Sequence, residues 1–433
     1  MAGPSVGVVG AGVTGLSLTH HLAARGVESV TFEASESVGG VVRSTTVDGR
    51  VLELGPQRTR LTPGIEELVE ATGLREDLLA AADGLPLFVY ARGRLREVPF
   101  SLGAFVRTDL LSWPGKLRVL AEPATGAIRP EETAAEAFTR KFGREAYENL
   151  VGPLFGGTYG SDPAAMPARY ALSGLMRIEE RDRSLLRPAL RRARGGRESP
   201  PPVSFREGMQ QLPRAVYEAN RDRVQLGTPV EAVERSGDRY ALVTADGETE
   251  VDDVVLTTPA GATADVLADL APDAAESLRR LTYNSLVYVH LVADDDRRGF
   301  GYQVRREEPL ETLGVTWNAG LFDRDGVYTV FLGGMHRPEL LDEDDETLGH
   351  VASEEFEQVM ETPASVLAVT RVRDALPAYD HSWAAIDDLD LPEGIHLATN
   401  YTARVGIPGR VREAKSLAER FADRTEPVRS PPA

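Results

Sequence analysis

The feature that most constrains this chain is a short apolar segment that runs directly into a glycine-rich turn. Val6 to Val9 has the length and composition of a buried strand, and the apolar residues after the turn recur at helical spacing as far as Gly26. A second apolar segment, Ser29 to Phe32, ends at the acidic residue Glu33. Strand, turn, helix, strand and acidic residue in this order predict a dinucleotide-binding unit. The turn consists of Gly10, Ala11, Gly12, Val13, Thr14 and Gly15.

The spacing of the glycines has a mechanical reason. The first glycine allows the tight turn, the second lets the backbone approach a diphosphate, and the third lets the helix pack on the strand. The N-terminus of the helix then faces the negative charge of the phosphates. Glu33 is expected to accept hydrogen bonds from both ribose hydroxyls and to repel the extra phosphate of NADP, so the predicted ligand is FAD or NAD.

The residues after Glu33 favour FAD over NAD. Two adjacent glycines, Gly39 and Gly40, predict a return of the chain towards the diphosphate, which NAD dehydrogenases do not need. Arg43 offers a positive charge to the diphosphate, and Gly55-Pro56 offers a second close backbone approach beside the flavin. An ordinary Gly-Pro turn is the alternative for the last pair. The candidate cofactor contacts in this region are Ala34, Gly40, Arg43, Gly55 and Pro56.

Charge and composition exclude several classes of function. The formal net charge of -19 argues against a nucleic-acid partner, because phosphate backbones are bound by clustered cations. Few of the basic residues are lysines, a bias typical of a halophilic proteome; a solvated acidic surface in an arginine-rich genome explains it equally well. With no cysteine and no ligand spacing among its seven histidines, the chain is predicted to bind no metal.

The location of the protein is predicted from what its sequence lacks. The chain starts without a basic segment ahead of an apolar one, and no window holds about 18 uncharged apolar residues. We therefore expect a cytoplasmic protein without a spanning helix. A basic stretch from Arg181 to Arg197 is either a peripheral contact with the cytoplasmic face of an anionic membrane or a solvated loop. The sequence leaves open whether the protein forms a homodimer.

The predicted fold class is α/β, with a Rossmann-type FAD-binding domain, an inserted helical region and an antiparallel β substrate domain. Val230 lies in a predicted strand of the FAD-binding domain and is a candidate backbone contact to adenine. The FAD-binding domain is expected in three parts, residues 1–83, 201–265 and 381–433, separated by a helical substrate or membrane-surface region, residues 84–200, and a β-rich substrate domain, residues 266–380.

Taken in order, these motifs resemble the FAD-dependent protoporphyrinogen oxidase family, within the amine oxidase superfamily of flavoproteins. The glycine turn, the stretch from Glu33 to Ser44 and Glu53-Leu54-Gly55-Pro56 are shared across the superfamily. Two other stretches resemble the porphyrinogen oxidases more specifically. They are VGPLFGGTYGSDP at residues 151–163 and the loop that ends in VGIP at residues 405–408.

The resemblance implies an activity and further cofactor contacts. Bound non-covalently, FAD would accept hydride repeatedly from protoporphyrinogen IX or coproporphyrinogen III in heme biosynthesis, and oxygen would reoxidise the flavin to give hydrogen peroxide. Because the flavin supplies the redox chemistry, no acid-base pair is expected and no catalytic residue is assigned. A helix predicted from Val411 to Phe421 would direct its N-terminus at the reduced flavin. The contacts implied next to that helix are Val405, Gly406 and Ile407.

The sequence departs from the family at Leu87, where the family often has a basic residue thought to meet a substrate carboxylate. Nearby arginines are the candidates to replace it, because the propionates of a porphyrinogen call for planar cationic donors. Trp383 is a candidate aromatic neighbour of the flavin, with a role in the core as the alternative. The four candidate arginines are Arg58, Arg60, Arg92 and Arg94.

Two alternative functions remain open. One is a different flavin oxidoreductase of the superfamily, of the amine oxidase or carotenoid desaturase type; an amine oxidase needs an aromatic cage, and the chain has only three tryptophans. The other is a carrier on the same fold that has lost its redox chemistry. The intact glycine turn with Glu33 argues against the carrier.

Overall fold

A five-stranded parallel sheet carries the predicted dinucleotide-binding unit. Val6–Val9 lies at its centre, between Ser29–Phe32 and Asp253–Leu256, and Val224–Gln225 and Ile395–Leu397 form the two edges. Since all pairings are parallel, the carboxyl ends of the strands meet at one edge, where the glycine turn lies. This confirms the predicted α/β Rossmann-type class, and the strands of the sheet come from separate parts of the chain. The computed structural model describes residues 5–193, 199–402 and 406–425.

Two long helices cover one face of this sheet. Val13–Ala23 follows the glycine turn, and Ile407–Thr425 packs against it near the end of the described chain. Their apolar side chains bury against the strands in one cluster that includes Leu18, Leu22, Val255, Leu417 and Phe421. Burial of this stripe fixes the C-terminal helix beside the glycine turn.

A second, seven-stranded sheet forms the β-rich region. Its neighbouring strands are antiparallel except for one parallel pair, Gly301–Val304 with Leu87–Ala91. Asp345–Met360 packs across it, where the Phe356 ring lies 5.0 Å from that of Tyr328. The strand order is Ala364–Pro377, Tyr283–Ala293, Val327–Gly333, Gly314–Thr316, Gly301–Val304, Leu87–Ala91 and Arg94–Glu97.

The helical region expected from residue 84 onwards begins with two strands instead, Leu87–Ala91 and Arg94–Glu97. Helices begin only at Leu102–Arg107, whereas residues 87–97 form a hairpin at the edge of the seven-stranded sheet. The reason is that Val89 and Tyr90 are buried in the sheet, and a five-residue apolar run with β-branched and aromatic side chains suits a strand.

A buried charge cluster organises the helices of the insert. Lys141, in the helix Ala134–Phe142, is 1% exposed, and its Nζ lies 2.8 Å from Glu122 Oε1. The same ammonium forms an ion pair with Glu179. Burial by itself raises the pKa of Glu122, but the hydrogen bonds from Lys141 and Ser184 outweigh it, and the pKa is lowered overall.

The remaining elements complete the described chain. Smaller sheets pair Ser44–Val47 with Arg50–Glu53, Pro202–Phe205 with Thr59–Arg60 and Leu78–Ala80, and Arg239–Thr244 with Val230–Ser236 and Gly247–Val251. A π-helical segment, Tyr147–Val151, precedes Gly152–Tyr159. The other α-helices are Pro63–Ala71, Trp113–Leu120, Arg144–Ala146, Ala168–Ala171, Ser173–Asp182, Leu186–Ala193, Gln211–Glu218, Ala260–Val266, Pro272–Arg279, Asn318–Phe322 and Ala384–Asp387.

Candidate functional site

The glycine turn has the close packing that its sequence predicts. Gly10 has a φ of 102°, in the left-handed region that favours glycine. A Cβ placed on Gly15 would lie 1.9 Å from the carbonyl oxygen of Gly10, so only glycine lets this helix approach the strand. A Cβ placed on Gly12, in contrast, would meet no described atom within 4 Å. The backbone over Gly12 is therefore open to a ligand.

The N-terminus of the helix Val13–Ala23 is available to an anion. Gly12 caps it without a side-chain hydrogen bond, and its first turn holds no acidic residue. The first amide N–H groups of a helix lack intrahelical partners and carry partial positive charge. An uncapped N-terminus beside an open glycine suits a phosphate group.

Glu33 lies against this turn. Its Oε2 accepts a hydrogen bond from the Ala11 amide at 2.7 Å, and its Oε1 accepts one from the Ser35 amide at 3.0 Å. The Glu33 carbonyl accepts a hydrogen bond from the Thr228 amide at 2.9 Å, which brings the strand that starts at Val230 close to the Glu33 backbone. Ala34 is exposed beside it. Glu33 and Val230 thus lie near one another, and their contacts with the adenosine half of the ligand stay predictions.

The segment after Glu33 returns to the glycine turn. The Gly39 amide donates to the Ala11 carbonyl at 3.0 Å, and a Cβ placed on Gly40 would lie 3.4 Å from the Gly12 Cα. Gly55 touches the same return, because a Cβ there would lie 1.9 Å from the Val41 carbonyl oxygen. Pro56 directly follows. Arg43 extends from this loop with an exposed side chain, and its contact with a diphosphate stays a prediction.

The C-terminal segment meets the same place. The helix Ile407–Thr425 starts at Ile407 rather than at the predicted Val411, because Pro408 is compatible with a first helical turn and the Arg410 amide already donates to the Gly406 carbonyl. Ile407 packs in one buried cluster with Ala11 and Val38. Arg410 donates to the Thr14 hydroxyl at 2.7 Å. Val405 lies outside the described residues.

A buried ion pair between Glu53 and Arg324 holds the segment that leads to Gly55-Pro56. Glu53 is fully buried, and its carboxylate lies 2.7 Å from Nη1 of Arg324 and accepts the Met209 amide at 3.0 Å. The Glu53 carbonyl accepts a hydrogen bond from His290 Nε2 at 3.0 Å. These contacts join the Glu53-Leu54-Gly55-Pro56 motif to the seven-stranded sheet. Sequence reasoning noted the glycine of this motif but missed the role of its carboxylate.

A column of aromatic rings connects the 151–163 stretch with Trp383, the candidate aromatic neighbour of the flavin. The rings of Phe155 and Tyr159 are 4.9 Å apart, those of Tyr159 and Tyr379 are 5.1 Å apart, and Tyr379 stacks on Trp383 at 4.2 Å with an interplanar angle of 18°. Trp383 is 8% exposed and its indole N–H lacks a hydrogen-bond partner among the described residues. Trp383 is thus part of the core, and a contact with the flavin stays a prediction.

Three segments of the chain therefore converge on one open glycine, one uncapped helix N-terminus and one carboxylate. This set fits an adenine dinucleotide, with the diphosphate over Gly12 and the ribose at Glu33. Within the described residues no group of His, Asp and Glu side chains is arranged to hold a metal ion. The class that fold and site define is a dinucleotide-dependent oxidoreductase with a Rossmann-type domain.

Comparison with known proteins identifies the family. The model of the flavin containing amine oxidoreductases matches residues 13–422, so this chain belongs to that family, and its cofactor is FAD. Protoporphyrinogen oxidase 1 of Spinacia oleracea is 26% identical over 96% of this chain and 84% of its own length. Coproporphyrinogen III oxidase of Bacillus subtilis is 24% identical over 86% of this chain and 87% of its own length.

A solved structure supports the same assignment. The crystal structure of a protein from Exiguobacterium sp. 255-15, provisionally assigned as a protoporphyrinogen oxidase, superposes with a TM-score of 0.79. The two sequences are 25% identical, and the superposition covers 98% of this chain and 99% of the Exiguobacterium chain. The family and the FAD-dependent oxidoreductase class predicted from the sequence are confirmed.

Proposed function

We propose that this protein oxidises a porphyrinogen to the corresponding porphyrin in heme biosynthesis. The observation that carries the proposal is similarity along nearly the whole chain to relatives named protoporphyrinogen and coproporphyrinogen oxidases. The bound FAD supplies the hydride-accepting redox chemistry. The protein contributes position and exclusion of water, through Gly10–Gly15, Glu33 and the closely packed return at Gly39-Gly40.

Arg58 is the best candidate to meet a substrate carboxylate. Arg92 and Arg94 already form ion pairs with Glu145 and Asp109, at 3.8 and 2.5 Å. Arg58 forms no ion pair with a described residue, and its guanidinium lies 5.3 Å from the centre of the Phe300 ring.

The surroundings of Arg58 suit an anionic ligand. Burial and the neighbouring charge of Arg60 lower the pKa of Arg58 to about 10, which marks a cation whose charge is poorly neutralised. Arg60 itself is exposed and donates to the Pro200 carbonyl at 2.9 Å. Arg58 would thus supply the planar donor that is missing at Leu87.

Anaerobic reduction of the bound flavin tests the reaction. The purified protein should be yellow, and its flavin absorbance should bleach when protoporphyrinogen IX or coproporphyrinogen III is added without oxygen. Whichever porphyrinogen bleaches faster is the preferred substrate. Bleaching by an amine or a carotene, with none by either porphyrinogen, would establish the alternative oxidoreductase, and a colourless protein that fails to bind added FAD would establish the carrier.

Oxygen as the electron acceptor is part of the same proposal. Admitting air to the bleached protein should restore the flavin absorbance and release hydrogen peroxide in proportion to the porphyrin formed. A cytoplasmic location, which suits a chain without cysteine, and adaptation to high salt, which suits the net charge of -19, also remain proposals.

A lipid surface is the proposed partner of the helical insert. No described helix is long and apolar enough to cross a membrane. Six large apolar side chains are nevertheless exposed between residues 100 and 120, and Trp113 and Leu117 are each 66% exposed. Lys116 joins their two helices, since its ammonium donates to the Val106 carbonyl at 2.7 Å and lies 4.8 Å from the Trp113 ring centre. This 100–120 surface comprises Phe100, Leu102, Val106, Trp113, Leu117 and Leu120.

The 100–120 surface fits shallow insertion better than charge-driven binding. Exposed Trp and Leu side chains clustered on neighbouring short helices are typical of a lipid interface. The basic stretch expected to meet the membrane is partly neutralised, because Arg181 and Arg191 both pair with Asp182. The rest of that stretch lies partly outside the described residues.

Vesicle binding tests this surface. The protein should co-sediment with phosphatidylcholine vesicles, and the double substitution Trp113→Ser and Leu117→Ser should abolish binding without lowering the melting temperature. Val366→Ser, which removes an exposed apolar side chain elsewhere, should leave binding unchanged. If the double variant instead dissociates a dimer and vesicles never bind, the surface is a contact between two copies of the chain.

A further inference from the structure

Arg410 is a buried cation without a counter-ion. It lies in the first turn of the helix Ile407–Thr425 and is 7% exposed. Its Nη1 has no hydrogen-bond partner and its guanidinium no ion pair among the described residues. Burial lowers the pKa of Arg410 to about 10, and an arginine keeps its charge at neutral pH nevertheless. A buried charge of this kind is costly unless an anion compensates it.

The bonds that Arg410 does make lead to the glycine turn. Its Nε and Nη2 both donate to the Thr14 hydroxyl, at 3.1 and 2.7 Å. Because two donors fill the lone pairs of that hydroxyl, the proton of Thr14 remains for an acceptor, and no described residue provides one. A cation and a hydroxyl donor side by side at this turn both call for an anion.

No described residue supplies that anion within ion-pair distance. Glu413, on the next turn of the same helix, is not within ion-pair distance of Arg410, and burial raises the pKa of Glu413. Tyr283 and Tyr401 lie near the guanidinium, and burial raises the pKa of both phenols, so they are neutral. The nearest further acceptor is the Ala398 carbonyl, 3.5 Å from Nη2.

We propose that Arg410 binds the diphosphate of FAD, with Thr14 as its partner. Thr14 belongs to the turn over which the diphosphate is expected, and a diphosphate brings the negative charge that the buried guanidinium lacks. Arg43, the cation predicted for this role from the sequence, is exposed. The inference depends on the flavin cofactor of the family and is independent of the substrate.

Arg410→Met tests the inference through FAD binding and stability, not activity. Affinity should be measured by quenching of FAD fluorescence with the deflavinated protein, and it should fall about 10- to 100-fold, as for loss of a charged hydrogen bond. The melting temperature of the FAD-free variant should equal or exceed that of the wild type, since an uncompensated buried charge has been removed. Arg410→Lys should recover part of the affinity, and Arg412→Met, an exposed arginine on the same helix, should change neither quantity.

Two further measurements separate the diphosphate from the flavin ring. ADP carries a diphosphate without a flavin, so its affinity should fall by a factor similar to that for FAD in Arg410→Met. The midpoint potential of the bound flavin should stay unchanged, because the diphosphate has the same charge in both redox states.

Three results would overturn the inference. Unchanged FAD affinity would mean that Arg410 does not contact the cofactor. A lower melting temperature of FAD-free Arg410→Met would mean that Arg410 stabilises the packing of Ile407–Thr425 on Val13–Ala23 rather than binding an anion. A lower midpoint potential with unchanged ADP affinity would place the cation at the flavin ring instead.

Discussion

Two buried cations in this protein have opposite surroundings. Lys141, in the helical insert, is 1% exposed and pairs with two buried carboxylates, Glu122 and Glu179. Arg410, beside the glycine turn, is 7% exposed and has only neutral partners among the described residues. The insert therefore neutralises its buried charge within the chain, whereas the nucleotide-binding region leaves one charge without an anion.

This difference separates a structural charge from a ligand-binding charge. A buried cation whose carboxylates are supplied by the chain holds elements together whether or not a ligand is present. A buried cation without such carboxylates destabilises the ligand-free protein. Binding of an anion then removes the free-energy cost of the buried charge. The two regions should accordingly respond to substitution in opposite directions.

The largest effect is expected in the insert. Lys141→Met leaves Glu122 and Glu179 buried without their cation, and the free energy of unfolding should fall by about 3–5 kcal/mol. Denaturant unfolding of the FAD-free protein measures it. Lys415→Met is the matched control, because Lys415 pairs with Glu67 at the surface and should cost no more than about 1 kcal/mol. A loss at Lys141 no larger than at Lys415 would remove the contrast between the two regions.

Substitutions of Gly12 and Gly15 should separate an effect on FAD binding from an effect on the stability of the fold. Gly12→Ala meets no described atom within 4 Å, so the FAD-free melting temperature should not change, while the added methyl intrudes where the diphosphate is expected. FAD affinity should fall at least about 10-fold, near the cost of overpacking a fitted site by about 1–3 kcal/mol.

Gly15→Ala is the counterpart within the same turn. Its methyl would lie 1.9 Å from the Gly10 carbonyl oxygen, so the FAD-free protein itself should lose stability, by about 1–3 kcal/mol. Thermal unfolding with and without FAD distinguishes the pair. Equal losses of stability in both variants would show that the space over Gly12 is not reserved for a ligand.

The local parts of the site could be predicted from the sequence. The strands Val6–Val9 and Ser29–Phe32 agree with their predicted bounds, because an apolar run that ends in glycine or in a charge is recognisable without distant contacts. By contrast, the apolar residues from Val224 to Val233 alone predict one continuous strand, whereas the structure has two, Val224–Gln225 and Val230–Ser236. Gly227 has a φ of 63° and its amide donates to the Ser35 carbonyl, so the chain turns there into a different sheet.

What depends on distant contacts could not be predicted. The apolar run Leu87–Ala91 suits a strand by itself, but its place in the seven-stranded sheet depends on the parallel pairing with Gly301–Val304. Arg410 and Thr14 are 396 positions apart, and the burial of Arg410 follows from packing between two helices at opposite ends of the chain. The only local signal for Arg410 is a charged residue within a stretch of glycine and proline.

The smallest expected effect concerns His290, a third buried basic residue without an anion. A buried histidine can lose its proton and become neutral, whereas an arginine such as Arg410 cannot. His290 is fully buried, its Nε2 donates to the Glu53 carbonyl at 3.0 Å, and burial lowers its pKa from 6.5 to about 4. The unfolded chain therefore takes up a proton below about pH 6.5, while the folded protein stays neutral at this position until about pH 4. Stability is fully present above pH 6.5 and is lost as the pH falls, by about 1 kcal/mol between pH 7 and 5.5. His290→Gln keeps a donor for the Glu53 carbonyl and should remove this loss of unfolding free energy between pH 7 and 5.5. His350→Gln, at an exposed position, should leave the pH dependence unchanged. Equal pH dependence in the wild type and His290→Gln would mean that folding does not lower the pKa of His290.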